Sequence, residues 1–303
     1  MFQNGKALSP IISSFLLTSL LASLLTSPTI NTAVAQQARR DPTLRATLEN
    51  AYNAWHNAIA TRDVAKWEQV TAFSRQMEVR NIIVSQKLPF PKTFFAEPLE
   101  APTLAGLVGL GVLSTRETAT STYFGKANFG GAPDGGPIDN LIVLHFLKED
   151  GTWKFDRLRV VKTGNDSELL LQIRNADFSF LQGEEFQPAP QLPPVPQPVN
   201  APDFIAEAWV DSTGYEVNVT VNGIENGNFS NVKTAELIMG GVRRGTNQIN
   251  ITTKPLAGGA AGGSPRVEIA IYAAKSPDEE AIRVFHYRPA TPDAQITQTF
   301  AVE

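Results

Sequence analysis

Two units of different class are predicted from this sequence: an α+β unit over residues 36–186, with helices on a curled antiparallel sheet, and an all-β sandwich over residues 201–303. Three observations lead there. Apolar residues recur at helical spacing near the start, at Leu44, Leu48, Tyr52, Trp55 and Ile59. The period then shortens to that of strands, from Thr118 onward. Between the halves lies Gln187–Pro198, a run that is half proline and can enter neither a helix nor a central strand.

Composition bounds the function. The chain has 303 residues, 42% hydrophobic and 18% charged, a balance that suits about two globular domains. It has no cysteine, which removes disulfides, thiolate metal sites and cysteine nucleophiles. The net charge of −4 argues against a nucleic-acid partner, which calls for a basic footprint. Its three histidines, His56, His145 and His286, are far apart in sequence, so neither a metal nor another cofactor is expected.

Residues 1–35 read as an address. Lys6 is the only charge before Arg39; an apolar stretch with Leu16-Leu17, Leu20-Leu21 and Leu24-Leu25 follows, and Ala33-Val34-Ala35 closes it. That is the order of a secretory signal peptide, with cleavage expected near Gln36 and a periplasmic or extracellular destination. No second apolar stretch of spanning length follows, so no membrane span is expected after cleavage.

Asp41-Pro42 supplies a helix N-cap followed by a proline at the first helical position. Asp63 caps a second helix carrying Val64, Trp67 and Val70, and a third runs from about Ser74 to Lys87 before Pro89 and Pro91. Thr118–Ala127 is a Thr- and aromatic-rich strand. Leu141–Leu147 is a nearly continuous apolar run, expected of a strand covered on both faces. Glu149-Asp150-Gly151 turns the chain into a returning strand, Trp153–Lys162. Gly130–Pro137 is a loop without the Gly-Lys-Ser/Thr ending of a phosphate cradle, and Asp166-Ser167-Glu168 opens one more short helix.

The entry Ala58-Ile59, Asp63 and Trp67, with the hairpin Phe146-Leu147-Lys148-Glu149-Asp150-Gly151-Thr152-Trp153-Lys154-Phe155, resembles the NTF2-like superfamily, which includes SnoaL-like and ketosteroid-isomerase-like proteins. The resemblance covers residues 41–162. It implies a cone-shaped fold with a pocket between helices and sheet, here lined by Leu48, Tyr52, Trp55, Ile59, Val143 and His145, and a homodimer through the sheet. In the isomerase branch such a pocket holds an Asp base and a Tyr/Asp oxyanion hole, and no triad of that kind can be matched here residue by residue.

Gln187–Pro198 is expected to be an extended, semi-rigid spacer of about 3.1 Å per residue within a linker over 187–200. Beyond it, Tyr215, Val217, Val219 and Val221 alternate with polar residues. Ile249/Ile251, Val267/Ile269/Ile271, Ile282/Val284 and Ile296/Phe300/Val302 do the same. Asn222-Gly223, Asn226-Gly227 and Arg244-Gly245 punctuate them, so six or seven short strands of a sandwich are expected. Gly245–Ile251 resembles a strand of immunoglobulin-like and galactose-binding-like accessory domains. Leu256–Gly263 reads as a surface loop.

Four residues are candidates for acid–base chemistry: Tyr52, His56, His145 and Asp156. Each also has an ordinary packing explanation. Trp209 and Tyr215 are candidates for stacking on sugar rings. The leading expectation is an exported, non-catalytic binding protein for a small apolar ligand or an envelope component. The alternatives are an isomerase or lyase of the ketosteroid-isomerase type and a carbohydrate-binding envelope protein.

Overall fold

The computed structural model describes residues 41–96, 101–127, 139–163, 166–257 and 264–303. The segment expected to be a signal peptide, the glycine-rich stretch at 130–137 expected to be a loop, and residues 258–263 lie outside the described residues.

The helices begin where their caps predict. Asp41 Oδ1 accepts from Leu44 N at 2.9 Å and starts α1, Pro42–Ala60. Asp63 does the same with Lys66 N for α2, Val64–Val70. α3 runs Phe73–Ser85. Four strands follow, β1 (Val108–Ser114), β2 (Thr118–Lys126), β3 (Asp139–Glu149) and β4 (Thr152–Lys162), forming an antiparallel sheet in that order. Asp150 and Gly151, at φ 51° and 78°, both adopt the left-handed conformations that a two-residue hairpin turn requires.

Both faces of this first sheet are covered. On one side Leu48, Tyr52, Trp55 and Ile59 pack with Ile142, Leu144, Phe146 and Phe155. On the other, Leu110, Leu141 and Val143 are covered by Leu169 and Ile173 of α4 (Ser167–Arg174) and by Phe178, Phe180, Leu181 and Phe186 from two 3-10 turns, Ser179–Gln182 and Glu184–Phe186. The apolar parts of both faces are thus occupied by the chain's own residues, while Arg159, beside Val143 on the second face, is exposed.

The second half holds eight strands, more than the six or seven expected. They are β5 (Ile205–Asp211), β6 (Tyr215–Val221), β7 (Ile224–Ser230), β8 (Lys233–Leu237), β9 (Gly245–Pro255), β10 (Glu268–Ala274), β11 (Ile282–Tyr287) and β12 (Gln295–Val302). They build two antiparallel sheets, ordered β11-β10-β5-β8 and β12-β9-β6-β7. Val217, Val219, Val221, Ile249 and Ile251 meet Ala206, Ala208, Val210, Ile269 and Ile271 between them. Asn226-Gly227, expected as a turn, lies inside β7.

The fold class is corrected accordingly. Strand accounts for 41% of the described residues and helix for 23%, in three four-stranded antiparallel sheets with four α-helices among the described residues. The chain is mainly β, and the α+β cone is not what it forms. The physical reason is twofold. β1, with glycines at 109 and 111, gives no readable strand period, and the far face of the first sheet is filled by the chain that precedes the linker.

The proline-rich segment has no regular structure, as expected, but it is not a free spacer. Thr118 Oγ1 donates to Ala189 O at 2.5 Å and Thr120 Oγ1 to Phe186 O at 2.7 Å, which pins its start to β2. Asn81 of α3 pins its end, donating to Gln197 O at 2.8 Å and accepting from Val199 N at 3.1 Å. α3 also joins the halves directly. Ile82 packs on Ile205, Leu237 and Ala274, Ser85 Oγ accepts from Gly240 N at 2.8 Å, and Lys87 Nζ donates to Asp203 O and Lys275 O.

Candidate functional site

α1 carries Tyr52 and His56 one turn apart toward the segment before β1. Tyr52 is fully buried and its hydroxyl donates to Pro102 O at 2.6 Å. His56 Nε2 lies 3.1 Å from Ala101 O. Trp55, Phe155 and Phe146 close around them; the Trp55 and Phe155 ring centroids are 4.2 Å apart, and those of Tyr52 and Phe155 5.3 Å. Burial, followed by the nearby Tyr123, drives the Tyr52 phenol far above its ordinary range, so it stays a neutral donor. Here the polar tips hold a non-repetitive backbone segment against the helix, and the rings are core.

His145 lies elsewhere. Residues alternate across β3, so Ile142, Leu144 and Phe146 face the helices while Leu141 and Val143 face the opposite cluster. Val143 and His145 are therefore not brought together with Leu48, Tyr52, Trp55 and Ile59. His145 pairs in register with Thr120 and Arg157. Burial first, then Arg157 and Arg159, lowers its pKa to about 4, so it is neutral at pH 7.

Asp156 occupies a β-bulge, since His145 pairs with Arg157 and Phe146 with Phe155. Arg157 Nε donates to Asp156 Oδ2 at 2.8 Å, and its Nη2 lies 3.3 Å from Glu78 Oε1 on α3; Arg75 Nη1 reaches Glu78 Oε2 at 2.9 Å. Asp156 is 5% exposed and burial raises its pKa, against the opposing pull of Arg157. These charges fasten α3 beside β4. Among the described residues no group of three His, Cys, Asp or Glu is placed to hold a metal ion.

No known family matches this sequence, and no curated protein or solved structure is significantly similar to it.

The two aromatic residues expected to stack on sugars also part company. Tyr215 on β6 packs against the sandwich core, while Trp209 on β5 is on the outer face of the other sheet. Trp209 instead meets Tyr272, centroids 5.7 Å apart and planes tilted by 58°, and its side chain hydrogen-bonds Glu207. Burial raises the Glu207 pKa. A tilted pair is not the coplanar platform that a sugar face needs. Tyr272 was readable as the polar-face partner of the Ile269/Ile271 alternation. The staples Asn81, Thr118 and Thr120 had no local signal, because their partners are 66 to 118 residues away.

Proposed function

We propose that this protein is an exported, non-catalytic binding or interaction protein. The carrying observation is that Tyr52 and His56 are engaged with the Pro102 and Ala101 carbonyls while His145 faces the far side of the sheet. A general acid–base mechanism needs its groups within hydrogen-bond reach of one reacting substrate, and these three do not share a cavity. Export is supported by Lys6, the leucine-rich stretch and Ala33-Val34-Ala35. No helix among the described residues is long and apolar enough to cross a membrane.

The test has two arms. The exported protein is sequenced from its N-terminus, with a start near Gln36 expected. It is then assayed on apolar carbonyl and steroid-like compounds beside Tyr52→Phe/His145→Ala. The expected result is no turnover by either protein, together with a co-purifying component in native mass spectrometry. Turnover that the double substitution abolishes would overturn the reading.

A further inference from the structure

Exposed sheet edges invite pairing with other chains, and folded proteins guard them with charges, bulges, prolines or covering segments. Among the described residues five of the six edges are guarded. β1 has a register shift between Gly109 and Gly111. β4 carries Lys154, Arg157 and Arg159, and Phe155 O accepts from Ala72 N. β8 carries Lys233 and Glu236. β11 carries Arg283 and His286, and its pairing shifts between Ile271 and Tyr272. β7 carries Glu225, a register shift, and Gly227 at φ 147°.

Among the described residues β12 shows none of these devices. Gln295–Val302 contains no charge and no proline, and it pairs with β9 through eight consecutive residues without a shift. Its wet-face side chains Gln295, Thr297, Thr299 and Ala301 are all exposed. The alternate residues Ile296, Phe300 and Val302 continue the apolar core toward this edge.

We infer that β12 is a self-association edge, pairing antiparallel with β12 of a second copy to extend the sheet across a two-fold axis. The strand is self-complementary about Thr299. In that register Thr299 lies opposite its own copy, Thr297 opposite Ala301 and Gln295 opposite Glu303 on the wet face. On the core side Ile296 lies opposite Val302 and Gln298 opposite Phe300. Every pair keeps to one face and no like charges meet, as an isologous contact requires. An edge contact of this length falls below the ~1,200 Å² of standard stable interfaces, so the dimer depends on concentration.

The cysteine-free chain makes the test clean. Sedimentation of the purified protein over a dilution series is expected to show a monomer–dimer equilibrium. Thr299→Lys, an exposed substitution that sets two like charges face to face, is expected to give monomer mass throughout, with an unchanged circular dichroism spectrum. Thr299→Cys is expected to form a copy-to-copy disulfide or a short bismaleimide crosslink. Gln295→Cys should not, because its two copies would stand about 27 Å apart at ~3.4 Å per residue. A monomer at every concentration overturns the inference. So does a dimer that persists in Thr299→Lys and is not crosslinked at position 299.

Discussion

The first sheet and the sandwich bury their strands by opposite means. In the sandwich, sheet covers sheet, and aliphatic residues such as Val219, Ile249 and Ile251 interlock while polar alternates face water. In the first unit the sheet is covered by helices on one face and by irregular chain on the other. Irregular chain has backbone groups that no ladder satisfies. Side chains must satisfy them, and Tyr52, His56, Thr118, Thr120 and Asn81 do so. A polar residue buried beside irregular backbone is thus as much a sign of stapling as of chemistry. That is why two of the four residues that looked catalytic in the sequence, Tyr52 and His56, turn out to hold carbonyls.

The largest expected effect breaks this contrast at its centre. Tyr52→Ala removes a buried ring and is expected to cost about 3–5 kcal/mol. Tyr52→Phe keeps the ring, leaves Pro102 O without its donor, and is expected to cost about 1–3 kcal/mol. Urea unfolding of the two variants separates packing from stapling; a Tyr52→Phe variant as stable as the parent would mean that the hydroxyl does nothing.

His145 sharpens the contrast through pH. Its ordinary pKa of 6.5 applies in the unfolded chain, whereas the folded value is about 4. The unfolded chain therefore binds the proton first. Stability is complete above about pH 6.5 and falls as pH drops from there toward 4, by up to about 3 kcal/mol. His145→Gln should flatten that limb in thermal melts between pH 7 and 4. Asp156 acts with the opposite sign, because burial raises its pKa and acid relieves its buried charge. An unchanged pH profile in His145→Gln would mean that other groups set the acid limb.

Asn81 tests whether the proline-rich segment belongs to the fold. Asn81→Ala removes both linker bonds at a site only 4% exposed, with an expected loss of about 1–3 kcal/mol. Limited proteolysis should then cut within Gln187–Val199 sooner than in the parent. A cleavage rate equal to the parent's would restore the free-spacer reading.

The smallest effect comes from one residue type in two places. Thr120 is 1% exposed and staples Phe186 O, so Thr120→Val is expected to cost about 1–3 kcal/mol. Thr252 is exposed on the wet face of β9, and Thr252→Val should stay within about 0.5 kcal/mol. Equal shifts in melting temperature would erase the distinction between the two regions.

The sequence by itself determined what depends on near neighbours. Asp41, Asp63 and Asp166 cap helices through the amides three residues on. Asp150-Gly151 sets a hairpin, and the alternations at Val217–Val221 and Ile249–Ile251 set core faces. Caps, turns and periods act within a few residues, so a linear reading reaches them. Tertiary structure alone decided that Val143 faces away from α1, that apolar chain packs on both faces of the first sheet, and that α3 bridges the halves. It also decided that Tyr52, His56 and His145 stay apart. Each of these depends on which distant segment covers a surface, and strand period fixes two faces without saying what lies against either one.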